Sequence, residues 1–161
     1  MKELTLDWLE KYKACEEAID EFKRRFGTKA KIKDVVDELH RIKRSDWEAW
    51  LLAQTLPLTI AMIEAGANVH AENDLALCWV AYFYNNLSIL KYLVEHDANI
   101  HAKDDFALRY SAERGHFNIV KYLVENGANV HARNNEALCW ATYRRHTRTA
   151  EFLAEFLERQ P

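Results

Sequence analysis

One six-residue sequence recurs three times along the chain. Residues 66–71 read Gly-Ala-Asn-Val-His-Ala, residues 97–102 read Asp-Ala-Asn-Ile-His-Ala, and residues 127–132 read Gly-Ala-Asn-Val-His-Ala. Successive copies begin 31 and 30 residues apart. A nearly constant period of this length is typical of proteins that stack small structural units into a solenoid. The repeat therefore predicts the fold.

Two helical patterns follow each copy. An Ala-Leu pair begins five residues after each closing alanine, at Ala76, Ala107 and Ala137. Residues 118–125 read Asn-Ile-Val-Lys-Tyr-Leu-Val-Glu, which places the apolar side chains on one face of a helix. Gly115 lies between the two patterns and is a suitable helix C-cap. Each unit is therefore predicted to contain a short helix, a turn, a longer helix and a loop.

These residues resemble the ankyrin repeat. The Ala-Leu pair stands where that family has Thr-Pro-Leu, Gly115-His116 matches its Gly-His, and residues 127–132 match its Gly-Ala-Asp-Val-Asn-Ala. The resemblance covers roughly residues 46–158. It implies an all-α ankyrin-repeat solenoid of four helix-turn-helix units with an N-terminal helical cap. We place the units near residues 46–71, 72–102, 103–132 and 133–159.

Two departures from the family pattern carry structural expectations. The units are shorter than the usual ~33 residues, so we expect shortened loops. The second unit has one extra residue between Ala81 and Ile89, which predicts an irregular turn between its helices.

The first 45 residues do not repeat. Apolar residues recur every three to four positions through residues 8–26 and again through residues 32–42, which predicts helices. Thr5 is the expected N-cap of the first helix. We therefore divide the chain into an N-terminal cap, residues 1–45, and a repeat domain, residues 46–161. Residues 6–9, 14–17 and 47–52 also resemble a module that heads many small phage and prophage proteins.

Composition excludes several classes of protein. Apolar residues make up 49% of 161, enough for a core, and four Gly with two Pro are too few for a disordered or collagen-like chain. No apolar run is long enough to cross a membrane, and residues 1–10 lack a signal-peptide layout. The cysteine count of three is odd, so we expect free thiols in the cytoplasm, or in the host cytoplasm if a phage encodes the protein. Cys78 and Cys139 share one repeat position and are predicted to be packing residues.

The sequence predicts no catalytic, cofactor or metal site. His70, His101 and His131 share one loop position, but stacked units lie about 10 Å apart and cannot place three imidazoles around one zinc ion. We expect these histidines to bond neighbouring loop backbones instead. No dinucleotide, Walker or nucleophile-elbow motif occurs, so we predict a non-enzymatic protein without a cofactor.

The resemblance implies a protein partner that contacts the loop tips and the exposed face of the first helices. Aromatic and arginine side chains, which are frequent in interface hot spots, dominate the matching positions. An alternative for Trp79, Tyr110 and Trp140 is packing between units. We expect a monomer or weak dimer. The predicted protein-binding residues are Trp79, Tyr82, Phe83, Asp104, Asp105, Tyr110, Glu113, Arg114, Arg133, Trp140, Tyr143 and Arg144.

Basic residues cluster around Gly27, although the whole chain has a net charge of -3. The cluster is either a solvated helix end or a contact for nucleic acid or an acidic partner. Its members are Lys23, Arg24, Arg25, Lys29, Lys31 and Lys33.

These observations lead to one principal hypothesis of function and three alternatives. The principal one is a protein-binding inhibitor or adaptor, including an anti-CRISPR-like phage counter-defence protein that sterically blocks a host immune effector. The alternatives are an immunity protein that neutralises a toxin, a nucleic-acid or nucleoprotein binder that uses the basic cluster, and a self-assembling protein that uses exposed aromatic residues.

Overall fold

The computed structural model describes residues 2–159, so the last two residues of the predicted repeat domain, 160–161, and residue 1 lie outside it. Helices dominate this range, as predicted. The elements in chain order are β1 (Glu3–Thr5), α1 (Leu6–Lys11), α2 (Glu16–Phe26), β2 (Lys29–Lys31), α3 (Ile32–Ile42), α4 (Ser45–Leu52), α5 (Leu56–Glu64), α6 (Ala71–Trp79), a π-helical turn (Val80–Tyr84), α7 (Leu87–Glu95), α8 (Ala102–Arg114), α9 (Phe117–Glu125), α10 (Ala132–Tyr143) and α11 (Thr147–Arg159).

The N-terminal cap contains a small antiparallel sheet that the helical prediction missed. Strands β1 and β2 pair with Leu4 opposite Ala30. Both side chains are buried while their neighbours in β2, Lys29 and Lys31, are exposed, so the segment follows the alternation of a strand. The predicted N-cap is confirmed, because Thr5 Oγ1 accepts a hydrogen bond from the backbone N–H of Trp8 at 3.2 Å.

Four helix pairs form the stack. The first helices of the pairs (α4, α6, α8 and α10) pack side by side in one row, and the second helices (α5, α7, α9 and α11) form a parallel row behind them. Each second helix turns its apolar side chains toward the first row; Ile119, Val120 and Leu123 of α9 are fully buried. One hydrophobic core therefore runs from the N-terminal cap to Leu153 in α11.

The loop tips are single left-handed turns instead of extended hairpins. Three consecutive residues have positive φ at the start of α6, α8 and α10, for example φ of 54°, 57° and 54° at Lys103, Asp104 and Asp105. Asn and Asp tolerate this conformation better than other residues with a side chain, and they supply six of the nine positions. The shortened loops predicted from the repeat length are therefore present, with this geometry.

The extra residue of the second unit forms the π-helical turn. The backbone N–H of Asn85 donates to the carbonyl oxygen of Val80, five residues earlier, at 3.1 Å. Asn85 then takes the left-handed conformation that Gly115 takes in the third unit. The turn between α6 and α7 is thus irregular, as predicted, because a π-helical turn accommodates one more residue than an α-helical turn.

Candidate protein-binding site

Buried carboxylates connect the repeat loops. We define these loops as residues 66–74, 97–105 and 127–135. Asp74 in the first loop accepts a hydrogen bond from the backbone N–H of Asn99 in the second, at 2.9 Å. Asp105 in the second loop accepts one from the backbone N–H of Asn129 in the third, at 2.8 Å. These carboxylates hold consecutive loops at a constant spacing, so they fix the positions of the first helices that follow.

The three loop histidines do not bond neighbouring backbones, so that expectation was wrong. Each lies beside the residue four positions later in its own loop; Nδ1 of His70 is 3.0 Å from Oδ1 of Asp74. The left-handed turn brings the two side chains together, and the carboxylate makes the contact to the next loop. The neighbouring backbone is instead reached by His116, whose Nδ1 donates to Ala81 O at 2.8 Å, and by His146, whose ring bonds Glu113 O at 2.9 Å.

Exposed apolar side chains concentrate at the carboxyl ends of the first helices. Among the described residues, the exposed large apolar side chains are Phe83 (59%), Tyr84 (40%) and Tyr143 (75%). The π-helical turn carries Phe83 and Tyr84, and Tyr143 is the last residue of α10. Exposure of these apolar side chains to water costs free energy, and a partner that buried them would recover it.

Aromatic contacts group the side chains of this surface into two clusters, one around Tyr82 and one formed by Trp140 and Tyr143. The ring of Tyr82 lies 4.4 Å from that of Phe83 and 5.3 Å from that of Tyr110, while Tyr110 stacks on Phe106 at 4.0 Å. Because the rings support one another, their orientations are restricted before any partner binds. We call this surface the aromatic face; its members are Tyr82, Phe83, Tyr84, Phe106, Tyr110, Trp140 and Tyr143.

Two predicted arginines border the aromatic face. The guanidinium of Arg114 lies 4.2 Å above the ring of Tyr82. Arg144 donates from Nη2 to Glu113 Oε1 at 2.5 Å and lies 5.7 Å from the centroid of the Trp140 ring. The Glu113 side chain is only 10% exposed, so it acts chiefly to position Arg144.

Two predicted binding residues lie elsewhere. Asp105 is 5% exposed because its carboxylate accepts the bonds from His101 and Asn129, so its inclusion in the binding surface was wrong. Trp79 is half-buried and lines an apolar cavity of about 440 Å³ between the N-terminal cap and the stack, so the packing alternative holds for it. Asp104 and Arg133 are exposed at the tips, where they form an ion pair at 3.0 Å.

Tyr110 and Trp140, for which packing between units was the alternative to partner binding, are both half-buried. Tyr110 packs against Phe106, as described above, and the indole N–H of Trp140 donates to Glu136 Oε1 at 3.0 Å. This hydrogen bond lowers the pKa of Glu136, and the nearby Arg109 guanidinium lowers it further. Both aromatic residues therefore support the exposed members of the aromatic face while keeping one edge accessible.

The basic cluster around Gly27 is largely neutralised. Arg24 and Arg25 both pair with Glu21, and these hydrogen bonds lower the pKa of that carboxyl to about 2. Within residues 2–159, Lys31 is the only member without an ion pair. The solvated-helix-end alternative fits this arrangement, since paired side chains contribute little net positive potential.

Cys78 and Cys139 differ in burial although they share a repeat position. Cys78 is buried under the third unit, and burial raises the pKa of its thiol to about 11. Arg109 is the equivalent residue of the third unit and is buried under the fourth. Cys139 is exposed, because no further unit covers α10 in the described part of the chain. The packing prediction therefore holds for Cys78 and was wrong for Cys139.

The described residues also limit other kinds of site. In residues 2–159 no group of three or more His, Cys, Asp or Glu side chains is arranged to hold a metal ion. None of the helices described combines the length and the apolar character that crossing a bilayer requires.

A family model described as ankyrin repeats (3 copies) matches residues 34–134 and again residues 77–159 of the chain, which are the residues that form the stack of helix pairs. The chain belongs to the ankyrin-repeat family. No curated protein matches it significantly. Ankyrin repeats form a binding scaffold that is generally non-catalytic, so this chain carries a protein–protein interaction module.

Sequence reasoning missed several residues of this region. Tyr84 was omitted although it lies in the π-helical turn, and the extra residue in the ankyrin unit was the signal that could have identified it. Arg145 and Arg148 were also omitted; Arg145 lies in the turn that follows α10, Arg148 lies in the first turn of α11, and both are exposed. Their arrangement depends on contacts between units, which the repeat pattern does not contain.

Proposed function

We propose that this ankyrin-repeat protein acts by binding a partner protein against the aromatic face. The observation that carries the proposal is the exposure of Phe83, Tyr84 and Tyr143, each of which lies at the carboxyl end of a first helix. Aromatic side chains bury a large area with little loss of conformational entropy, which suits them to be interface anchors. The half-buried rings beneath them favour binding because they limit reorganisation.

The mechanism we propose is steric. The aromatic face is an open surface. When a partner binds there, this protein covers the part of the partner's surface that it contacts. This supports an inhibitor or an adaptor, depending on whether the covered surface is the partner's working site. An anti-CRISPR-like protein that binds an immune effector is one narrower version of this proposal. An immunity protein that binds a toxin is another. The anti-CRISPR-like version depends on the phage-like resemblance of residues 6–9, 14–17 and 47–52.

The test is affinity capture from a bacterial lysate with matched variants. The double variant Phe83→Ser/Tyr143→Ser removes two exposed anchors and leaves the core intact. The control Lys91→Ser/Lys121→Ser changes two exposed residues on the second-helix row. We expect one protein to be retained by the wild type and the control and lost from the double variant. Retention of the same proteins by all three, or of none by the wild type, would contradict the proposal.

The activity of the captured partner then separates inhibitor from adaptor. Stoichiometric addition of the ankyrin protein should abolish the partner's activity if it is an inhibitor, and should leave it unchanged if it is an adaptor. The double variant supplies the control, since it should not inhibit at the same concentration.

A further inference from the structure

Four arginines gather where the first helices turn into the second helices in the third and fourth ankyrin units. Arg114 ends α8, Arg144 and Arg145 follow α10, and Arg148 lies in the first turn of α11. All four are exposed. We call this group the arginine rim. It borders the aromatic face, because Arg114 covers Tyr82 and Arg144 lies beside Trp140.

The arginine rim lacks the compensating carboxylates found elsewhere. Within residues 2–159 its only ion pair joins Arg144 to Glu113. By contrast, Arg133 pairs with Asp104, and the buried Arg109 pairs with Glu136 at 2.6 Å. The rim therefore carries an excess of three positive charges on a protein whose net charge is -3. Such a local excess attracts a negatively charged ligand despite the acidity of the whole chain.

Two of the unpaired arginines are held in place by aromatic rings. Arg148 lies 3.8 Å from the centroid of the Phe117 ring, and Arg114 lies 4.2 Å from that of Tyr82. A guanidinium that stacks through its face keeps its N–H edge available for a carboxylate. These side chains are therefore oriented before binding, and bidentate pairing requires little further loss of entropy.

We propose that the partner of the aromatic face is an acidic protein segment in which apolar residues are interspersed among Asp or Glu residues. Its carboxylates pair with Arg114, Arg145 and Arg148, and its apolar side chains lie against Phe83 and Tyr143. The inference rests on the proposed function, because it specifies the partner of the same surface. A nucleic acid fits less well, since its continuous phosphate backbone is usually held by a continuous basic groove, whereas the rim offers three separate unpaired guanidiniums.

Binding of defined probes tests the inference. The first probe is a fluorescein-labelled dodecapeptide of four Glu-Glu-Phe repeats, the second is the same peptide with Gln in place of Glu, and the third is a twelve-nucleotide oligothymidine. Fluorescence anisotropy at low salt should show the Glu peptide binding at least tenfold more tightly than either of the other probes. Raising the salt concentration should remove most of that difference, because the pairing is between exposed charges.

Two triple variants with the same change in charge locate the binding. Arg114→Gln/Arg145→Gln/Arg148→Gln should lose at least tenfold in affinity for the Glu peptide. Lys29→Gln/Lys31→Gln/Lys33→Gln in the N-terminal basic cluster should stay within twofold of wild type. The single variant Arg145→Gln, which removes no stacking contact seen in the structure, should lose about threefold, and thermal melting will show that each variant is folded.

Three results would overturn the inference: equal affinity for the Glu and Gln peptides, tighter binding of the oligothymidine, or equal losses in both triple variants. Each of them leaves the proposed function standing if lysate capture still depends on Phe83 and Tyr143. Failure of that capture experiment would instead remove the proposed function itself.

Discussion

The carboxylate of Asp74 accepts a hydrogen bond from the backbone N–H of Asn99, 25 positions later in the chain, at 2.9 Å. The same bond recurs between Asp105 and Asn129, and Glu48 of α4 makes it to Asn68 at 2.7 Å. All three residues are at least 95% buried. The repeat loops are therefore connected by buried polar contacts as well as by the apolar core. Both kinds of contact set the spacing between the first helices.

Replacement of Asp105 tests these loop-to-loop bonds. Asp105→Ala should lower the free energy of unfolding by about 2–3 kcal/mol, because the backbone N–H of Asn129 and the ring of His101 both lose a buried acceptor. The control Asp104→Ala replaces an aspartate of the same left-handed turn, so it shares the backbone cost, but it removes only an exposed ion pair and should be less destabilising by about 1–2 kcal/mol. Urea unfolding measures both values, and equal losses would show that the buried bond adds no stability.

The junction between α8 and α10 depends on Arg109. Its guanidinium donates to two backbone oxygens in the loop, Lys103 O and Asp104 O, and to the carboxylate of Glu136. Glu136→Ala should lower the free energy of unfolding by about 2–3 kcal/mol. Breaking a fully buried ion pair costs about 3–5 kcal/mol, and the cost is smaller here because Glu136 is a quarter exposed. Glu136→Gln should recover part of that loss, since an amide oxygen still accepts. If Glu136→Gln recovers no stability, the contact with Arg109 depends on the negative charge of Glu136 and not on its ability to accept a hydrogen bond.

The same pair predicts a pH dependence with a defined sign. Hydrogen bonds from Trp140 and Arg109 lower the pKa of Glu136 in the folded state. A carboxyl with a lowered folded pKa stabilises the protein above its unfolded pKa of about 4.3 and loses that contribution as the pH falls. The stability difference between wild type and Glu136→Gln should thus be largest near pH 7 and shrink toward pH 3. A difference that grows on acidification would contradict this assignment.

Two glycines with positive φ should respond differently to the same substitution. Gly127 has φ of 94° with open space where a Cβ would lie, so Gly127→Ala should cost about 1 kcal/mol from backbone conformation alone. Gly115 has φ of 71°, and a Cβ there would lie 2.5 Å from the His146 ring, which is held by its bond to Glu113 O. Gly115→Ala should therefore be the more destabilising. Similar melting temperatures for the two variants would show that His146 moves aside freely.

The thiols should separate into two classes. Burial raises the pKa of Cys78 to about 11, whereas Cys15 and Cys139 are exposed. At pH 8 only about one molecule in a thousand carries the Cys78 thiolate, and reagents also lack access to it. A disulfide reagent should titrate two thiols rapidly and the third only after denaturation. The variant Cys139→Ser should leave one rapid thiol; three rapid thiols in wild type would mean that the third unit does not cover Cys78.

Much of the fold followed from residues close together in sequence. The Ala-Leu pair, the apolar face of residues 118–125 and the helix C-cap at Gly115 are all consequences of local spacing, and each was predicted. The strand pair in the N-terminal cap was not predicted. Leu4 and Ala30 are separated in sequence by α1 and α2, and they pair only when these two helices fold back on each other. The π-helical turn was anticipated as an irregularity, but its register depends on the packing of α6 against α8.

The candidate site was predicted less completely. Tyr82, Phe83 and Tyr143 were named from the family pattern, yet Asp105 was assigned to the surface because sequence does not show which neighbouring backbone its carboxylate meets. The basic cluster around Gly27 was conspicuous in sequence and is mostly paired in the structure. The less conspicuous arginine rim is mostly unpaired.

By itself, the sequence determined the period of about 31 residues, the helix pairs and the ankyrin family, because these depend on residue spacing within one unit. Tertiary structure alone decided how Arg109, Arg133 and Arg144 are paired and which aromatic side chains face water. Those properties depend on partners 24 to 35 positions away, such as Asn129 for Asp105 or Ala81 for His116, and only the stacking of one unit on the next brings them into contact.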